Sequence, residues 1–87
     1  MKEQTGARFR AFLADNGYFD IRELHDGTWA ALHRLMFTTA ICAGLDEIGW
    51  AYRWCFEDPS RAAAELAKLQ AMDDEPAGYV ARRGGRG

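Results

Sequence analysis

The sequence predicts a small α+β domain with an N-terminal helix, a three-stranded antiparallel sheet and a C-terminal helix packed on one face of the sheet. Aromatic residues occupy alternate positions over 50–57, a period typical of a half-buried strand. Amphipathic stretches lie on both sides of the strand-rich region, and each needs an apolar surface to cover. The chain of 87 residues suits one domain. We expect this domain to span 1–81 and the basic end, 82–87, to be disordered.

The first element predicted is a helix over 7–16. Its apolar residues recur at helical spacing: Phe9, Phe12 and Leu13. Thr5 is placed to cap the start of this helix, and Gly17 is placed to adopt the left-handed conformation behind its end. The helix would lay its apolar side chains on the sheet.

The sequence indicates the strands less clearly than the helices. A strand over 20–24 runs into His25-Asp26-Gly27, and Asp-Gly is a strong signal for a tight hairpin turn. From 37 to 45 the β-branched and small residues predict a second strand that ends near a glycine. The stretch 28–36 suits either a helix face or a backward extension of that strand, and the sequence leaves the two alternatives open.

A four-residue turn at 46–49 would set the register between the second strand and the third strand, 50–57. One face then carries apolar pairs: Leu45 with Trp50, Ala43 with Tyr52, Ile41 with Trp54 and Thr39 with Phe56. The other face carries mostly small residues: Gly44, Cys42, Ala40 and Thr38 against Ala51, Arg53, Cys55 and Glu57. A three-residue loop with a bulge would shift this register.

Asp58-Pro59 predicts the start of the C-terminal helix, with Asp58 as the cap. Its expected buried stripe is Ala62, Leu66 and Leu69, and its expected outer residues are Arg61, Glu65 and Lys68. We expect both helices to cover the aromatic face of the sheet. The segment Tyr79-Val80 could pack back onto the domain or add an edge strand.

Charge and composition limit the classes of partner. The chain carries 13 acidic and 11 basic residues, and three of the arginines lie at the end: Arg82, Arg83 and Arg86. Without them, 8 basic residues face 13 acidic residues, a net charge of −5, which counts against nucleic-acid binding by the folded body. The sequence shows no signal peptide and no long apolar span, so we expect a cytoplasmic protein without a membrane partner.

Candidate reactive groups are few and scattered. His25 and His33, with Asp26 and Glu23 nearby, match no metal-binding spacing. Two cysteines, Cys42 and Cys55, are too few for a disulfide framework and have no evident base or further metal ligand. We therefore predict a protein that is not an enzyme, with no catalytic residue, no cofactor and no metal.

The aromatic row consists of Trp50, Tyr52, Trp54 and Phe56. It allows two interpretations. Core packing under the helices is favoured, because the amphipathic helices need an apolar partner. The alternative is a stacking platform for nucleobases, as in sheets that bind single strands. Together with the Arg-Gly repeat at the C-terminus, this alternative predicts a small nucleic-acid-binding accessory protein.

The small-residue face of the sheet is the feature most suggestive of function. Solvated sheet faces are usually rich in charged residues and threonine, and this face is not. We expect it to bind a partner protein or a second copy of the chain, unless the Tyr79 segment covers it. The residues predicted to contact a partner are Arg53, Glu57, Asp46, Glu47, Asp73, Asp74 and Glu75.

The order of motifs from Leu35 to Tyr79 resembles a group of short, uncharacterised bacterial and bacteriophage proteins. The shared motifs are an Arg-aromatic-Cys-aromatic strand, here Arg53-Trp54-Cys55-Phe56, and a Pro-x-Gly-aromatic end, here Pro76-Ala77-Gly78-Tyr79. The resemblance implies an accessory protein of phage or prophage origin. Such proteins include inhibitors of host machinery, among them anti-CRISPR proteins, which act by occupying a surface. Acidic side chains suit that role, because they can match a basic patch on the target.

Overall fold

The computed structural model describes residues 2–84. Within this range two helices and five strands follow in the order α1 (Lys2–Asp15), β1 (Tyr18–Glu23), β2 (Trp29–Arg34), β3 (Thr39–Ala43), β4 (Tyr52–Phe56), α2 (Pro59–Lys68) and β5 (Ala81–Gly84). The strands form a single antiparallel sheet in the order β1-β2-β3-β4-β5, so each strand pairs with the next strand along the chain. The α+β class is confirmed, but the sheet has five strands where three were predicted.

One additional strand, β2, forms within the stretch 28–36, for which the sequence allowed either a helix or a strand. The adjoining prediction of a strand from 37 is wrong at its start, because Met36 and Phe37 lie in the turn between β2 and β3 and are 86% and 85% exposed. The Leu35 backbone N–H closes this turn by donating to the Thr38 carbonyl at 2.8 Å. The turn contains no Gly, Pro or Asn, so it carries no local signal that interrupts the strand-like sequence.

The predicted pairing between β3 and β4 is confirmed over five residue pairs, from Thr39 opposite Phe56 to Ala43 opposite Tyr52. Beyond Ala43 the prediction is wrong, since Leu45 and Trp50 pack on the other face of the sheet. Gly44 causes the change, because its φ of +70° turns the chain out of the extended conformation. A Cβ at Gly44 would also lie only 2.7 Å from the Ala51 Cβ.

We call the side of the sheet beneath α2 the α2 face. Its large buried side chains are Leu32, Ile41, Trp54 and Phe56, which pack with Ala62, Leu66 and Leu69 of the helix and the segment after it. The predicted cap is confirmed, since an Asp58 carboxylate oxygen accepts from the Ser60 N–H at 2.9 Å. The predicted core role of the aromatic row is also confirmed for Trp54 and Phe56, which are each 1% exposed.

Glu65 was predicted to point outward from α2, but it is only 7% exposed. One oxygen of its carboxylate accepts from the Ala77 N–H at 3.1 Å, and the other lies 3.2 Å from Lys68 Nζ and 3.3 Å from Arg61 Nε. The hydrogen bond from Ala77, followed by that from Lys68, lowers the pKa of Glu65. Glu65 therefore ties the segment that leads to β5 to the side of α2.

The opposite side of the sheet is called the second face. Its buried residues are Ala31, Ala40, Cys42 and Cys55, and Leu13 of α1 packs against them. The expectation that both helices cover the aromatic face is therefore wrong, because α1 and α2 lie on opposite faces. The short turn after α1 leads directly into β1, and α1 lies against that edge of the sheet. Gly17 has the predicted left-handed φ, +92°, but α1 begins at Lys2, so Thr5 lies inside the helix and does not cap it.

The two edges of the sheet also differ from the prediction. The first strand begins two residues early, at Tyr18, while the predicted hairpin at Asp26-Gly27 is confirmed by a 2.7 Å hydrogen bond from the Leu24 N–H to the Thr28 carbonyl. At the other edge, residues 82–84 were predicted to be disordered but belong to β5, which pairs with β4. Pairing satisfies backbone groups of β4 that would otherwise form an open edge. Residues 85–87 of the predicted tail lie outside the described residues.

Candidate functional site

An open groove of about 1090 Å³ lies between α1 and the loop that follows β3. The elements that line it are the middle of α1, the end of β1, the start of β2 and the first residues after Gly44. The large apolar side chains that line it are Phe9, Phe12, Trp29 and Leu45, and the charged ones are Arg10, Glu23, Asp46 and Glu47. The groove stays open because α1 lies mainly against β1, at one edge of the second face.

The floor of the groove is built on fixed backbone. The Leu45 N–H donates to the Trp29 carbonyl at 3.0 Å, which holds the loop after β3 against the start of β2. The Phe9 ring meets the Trp29 ring edge to face, with 5.4 Å between centroids. The Arg10 guanidinium lies 5.3 Å from the centroid of the Trp29 ring, a cation–π geometry. These contacts present an apolar surface in one defined shape.

The rim of the groove is a hydrogen-bonded turn with an acidic edge. One Asp46 carboxylate oxygen accepts from the Ile48 N–H at 2.8 Å and from the Gly49 N–H at 2.9 Å. The Asp46 N–H in turn donates to the Gly49 carbonyl at 2.9 Å. This turn carries Glu47 into solvent and leaves Ile48 89% exposed. A large aliphatic side chain held in water by a capped turn has no role in the core of its own domain.

Further carboxylates lie at the same end of the sheet, because the β1–β2 hairpin, the β3–β4 turn and the segment after α2 meet there. The His25 N–H donates to the Gln70 carbonyl at 2.8 Å, and the Asp26 carboxylate accepts from the Met72 N–H at 2.9 Å. We call this region the acidic end, defined by Asp26, Asp46, Glu47, Asp73 and Asp74. Four of the seven residues predicted to contact a partner therefore share one end of the molecule.

Two members of the acidic end also have structural roles. Asp26 accepts from the Thr28 hydroxyl and N–H, and these bonds, with that from Met72, lower its pKa; the Thr28 hydroxyl has the largest effect. Asp74 accepts from the Gln70 and Ala71 N–H groups at 3.1 and 3.2 Å. Both carboxylates hold the loops in place through these hydrogen bonds, and the lowered pKa of Asp26 favours its ionised form, so charge and loop shape at this end are linked.

Of the other three predicted residues, Glu57 and Arg53 lie elsewhere, whereas Glu75 directly follows Asp74. Glu57 follows β4 at the opposite end of the sheet. The Glu75 carboxylate accepts from the Tyr79 hydroxyl, and this hydrogen bond is the main cause of the raised pKa of Tyr79. Arg53 lies on the second face, next to Trp50. Sequence reasoning could not separate these positions, because their grouping depends on which loops meet at which end of the sheet.

The small residues predicted to form an open partner surface are buried by the chain itself. Ala40 and Cys42 have no exposed surface, and Cys55 is nearly as well covered. The side chains that cover this part of the second face include Leu13, Leu35 and Trp50, not Tyr79, which packs on the α2 face. Burial raises the pKa of the Cys42 thiol to about 12, so it stays protonated and unreactive at neutral pH.

The stacking-platform interpretation of the aromatic row fails for two of its four members. Trp54 and Phe56 lie beneath α2, where nucleobases cannot reach them. Tyr52 stacks on Trp54 with 5.7 Å between ring centroids. Trp50 differs from the other three members, because it packs on the second face and not on the α2 face.

The remaining predicted reactive groups do not converge. His25 is exposed in the β1–β2 hairpin, whereas His33 contacts the Tyr18 ring at 4.8 Å between centroids. Over residues 2–84, no group of three or more His, Cys, Asp or Glu side chains is arranged to hold a metal ion. Neither helix in that range is long and apolar enough to cross a membrane.

Sequence reasoning missed the apolar half of the groove. Phe9 was assigned to a core-facing helix stripe, and Leu45 was placed on the aromatic face. One feature of the sequence could have pointed to an apolar surface here, namely Ile48, an aliphatic residue inside a predicted turn. Comparison with known proteins found no matching family model, no matching curated protein and no matching solved structure.

Proposed function

We propose that this protein is a non-enzymatic protein-binding module that docks on a larger complex through the groove and the acidic end. The observation that carries the proposal is the groove itself, which has an aromatic floor and an acidic rim, with Ile48 exposed on the β3–β4 turn. Protein interfaces commonly have this arrangement, with an apolar centre surrounded by polar residues.

Ile48 is well suited to act as an anchor. The turn that carries it is capped by Asp46, so little conformational freedom is lost when a partner covers the side chain. Full burial of an aliphatic side chain of this size contributes about 1.5–3 kcal/mol. The partner should therefore offer a small apolar pocket at the position of this turn.

The charge around the groove indicates the second property of the partner. Glu47 and Asp46 stand at the rim, and Asp26, Asp73 and Asp74 extend the negative surface along the same end of the sheet. A basic surface would be attracted to this end, and complementary charge raises the rate of association. We infer a partner with a basic region beside an apolar pocket.

The biological setting is part of the proposal and rests on the resemblance to bacteriophage and bacterial proteins. In that setting the partner is a host or phage complex in the bacterial cytoplasm, and docking inhibits it, as anti-CRISPR and other anti-defence proteins do. An inhibitor of this kind needs a stable surface and no reacting group. The covered thiol of Cys42 and the dispersed histidines fit such a role.

The experiment is affinity capture from bacterial lysate treated with nuclease, using the full chain and three variants. Ile48→Asp should abolish capture of a stoichiometric protein partner, and Glu47→Lys should weaken capture and reduce its dependence on salt. Glu57→Lys makes the same charge change at the opposite end of the sheet and should leave capture unchanged.

Equal capture by all four proteins would contradict docking through the groove. Capture that is lost on nuclease treatment would instead support the alternative, a nucleic-acid-binding accessory protein that uses the C-terminal arginines. Thermal unfolding of each variant checks that any loss of capture reflects the surface and not the fold.

A further inference from the structure

A pair of arginines stands on the second face, away from the groove rim. Arg53 of β4 and Arg83 of β5 are directly opposite each other in the antiparallel ladder. Directly opposite residues share a face of the sheet, with Cβ atoms about 4.5–5.5 Å apart. The next pair along the ladder, Trp54 and Arg82, points to the α2 face. The two guanidinium groups therefore extend from neighbouring positions on the same side of the sheet.

No carboxylate belongs to the sheet positions around this pair. The same-face neighbours of Arg53 are Cys42 on β3, Cys55 on β4 and Ala81 on β5. Like charges directly opposite each other destabilise a sheet unless an opposite charge lies between them. In a chain of net charge −2, this arrangement concentrates positive charge at one point of the sheet.

The Arg53 side chain is held in a defined orientation. Its guanidinium lies over the Trp50 ring, 4.9 Å from the centroid, a cation–π contact that restricts the planar group. Its Nε is buried and has no hydrogen-bond acceptor among the residues that the structure describes. Buried donors without a partner are rare in folded proteins, and a charged donor is the most costly to leave unpaired.

Tyr18 of β1 packs on the same face of the sheet, where the charge of Arg53 acts on it. Burial has the largest effect on the phenol and raises its pKa, which the charge of Arg53 lowers by a smaller amount. The phenol therefore stays protonated at neutral pH and can donate a hydrogen bond.

We propose that Arg53 and Arg83 bind a single oxyanion, a phosphate or a carboxylate group, with Trp50 holding Arg53 in position. Guanidinium groups bind both kinds of oxyanion through paired N–H donors, and one bound anion removes the repulsion between the two arginines. A single group is favoured over a long polyanion, because the acidic body repels extended negative charge. The site is independent of the groove and of the function proposed for it.

The test follows the Arg53 Nε–Hε signal of the full, nitrogen-15-labelled chain by NMR. The protein is titrated with sodium phosphate and, separately, with sodium acetate, while sodium chloride keeps the ionic strength constant. We expect a saturable shift of the Arg53 signal. Saturation by phosphate alone indicates a phosphate ligand, and saturation by acetate indicates a carboxylate ligand; either result supports the site.

Two variants separate a built site from general attraction of anions. Arg83→Gln should raise the dissociation constant about tenfold or more, as expected for the loss of a charge-assisted hydrogen bond. Arg82→Gln makes the same charge change one residue away on the opposite face and should leave the constant within about twofold. Both positions are exposed, so both variants should fold. Shifts no larger than those caused by chloride, or equal losses in the two variants, would overturn the proposal.

Discussion

The two faces of the sheet are covered in different ways. On the α2 face, large side chains meet the apolar stripe of α2, and Trp54, Phe56, Ile41 and Leu32 are almost entirely removed from water. On the second face the fully buried strand residues are small, and α1 lies mainly against β1. The α2 face thus supplies much of the core, whereas the edges of the second face leave room for the groove and for the arginine pair. A sheet covered unequally by two helices can thus place most of its stabilising contacts on one face and its candidate binding surfaces on the other.

The largest expected loss of stability comes from removing a buried side chain of the α2 face. Trp54→Ala should lower the free energy of unfolding by about 3–5 kcal/mol, because it removes the largest fully buried side chain and leaves a cavity. Trp50→Ala, on the half-buried edge of the second face, is the matched control and should cost clearly less. Urea denaturation of both variants measures the difference. Equal losses would mean that the two faces contribute alike.

The next effect tests how α1 is attached to the second face. Leu13→Ala should lower the free energy of unfolding by about 2–5 kcal/mol, because Leu13 is buried against Ala31 and Ala40. Phe12→Ala on the same helix removes a larger but partly exposed side chain and should cost less. Denaturant unfolding followed by circular dichroism provides the comparison. A greater loss for Phe12→Ala would contradict the orientation of α1.

A smaller effect comes from the start of α2. Asp58→Ala should cost about 1 kcal/mol, because it removes the acceptor for the Ser60 N–H at the first turn. Asp58→Asn keeps an acceptor at this position and should retain most of the stability. Thermal unfolding distinguishes the two variants. An equal loss in both would indicate that the negative charge, and not the capping bond, stabilises the helix.

Glu65 gives the contact between α2 and the C-terminal segment a pH dependence. Its pKa is lowered in the folded protein from the ordinary value of 4.5, so its contribution to stability is present above that value and is lost as the pH falls through the lowered pKa. Glu65→Gln should be less stable than the wild type at neutral pH, and the difference should shrink on acidification. Unfolding measured from pH 7 to pH 2.5 tests this. A difference independent of pH would show that the charge of Glu65 has no part in holding the segment.

The smallest effect concerns the β2–β3 turn. Phe37→Ser should change the free energy of unfolding by no more than about 0.5 kcal/mol, because the ring is in solvent at the turn. Thermal unfolding checks this expectation. A loss of several kcal/mol would indicate that Phe37 lies in a buried strand, as the sequence suggested.

The sequence revealed those parts of the fold that depend on local chemistry. Asp26-Gly27 marked a hairpin, Asp58-Pro59 marked a helix start, and the turn at 46–49 set the β3–β4 register. The turn at Met36-Phe37 escaped prediction, because its residues favour strands and only the pairing of β2 with β3 places them in a turn.

Other features depend on contacts between distant segments. Glu65 follows the helical pattern of an outer residue, and its burial results from the return of Ala77 to the side of α2. Leu13 could have packed on either face of the sheet. The groove likewise requires Leu45 to meet Trp29, two residues separated by two strands of the chain. The candidate site was therefore predictable in its acidic residues but not in its apolar floor.

The most direct test of this account is a nuclear Overhauser experiment on methyl-labelled protein. The central claim is that α1 and α2 cover opposite faces of the sheet, which leaves the groove open beside α1. We predict contacts from the Leu13 methyl groups to the methyl groups of Ala31 and Ala40, and from the Leu66 methyl groups to Ile41. Contacts from Leu13 to Ile41 or to the Trp54 ring would place both helices on one face and contradict the account.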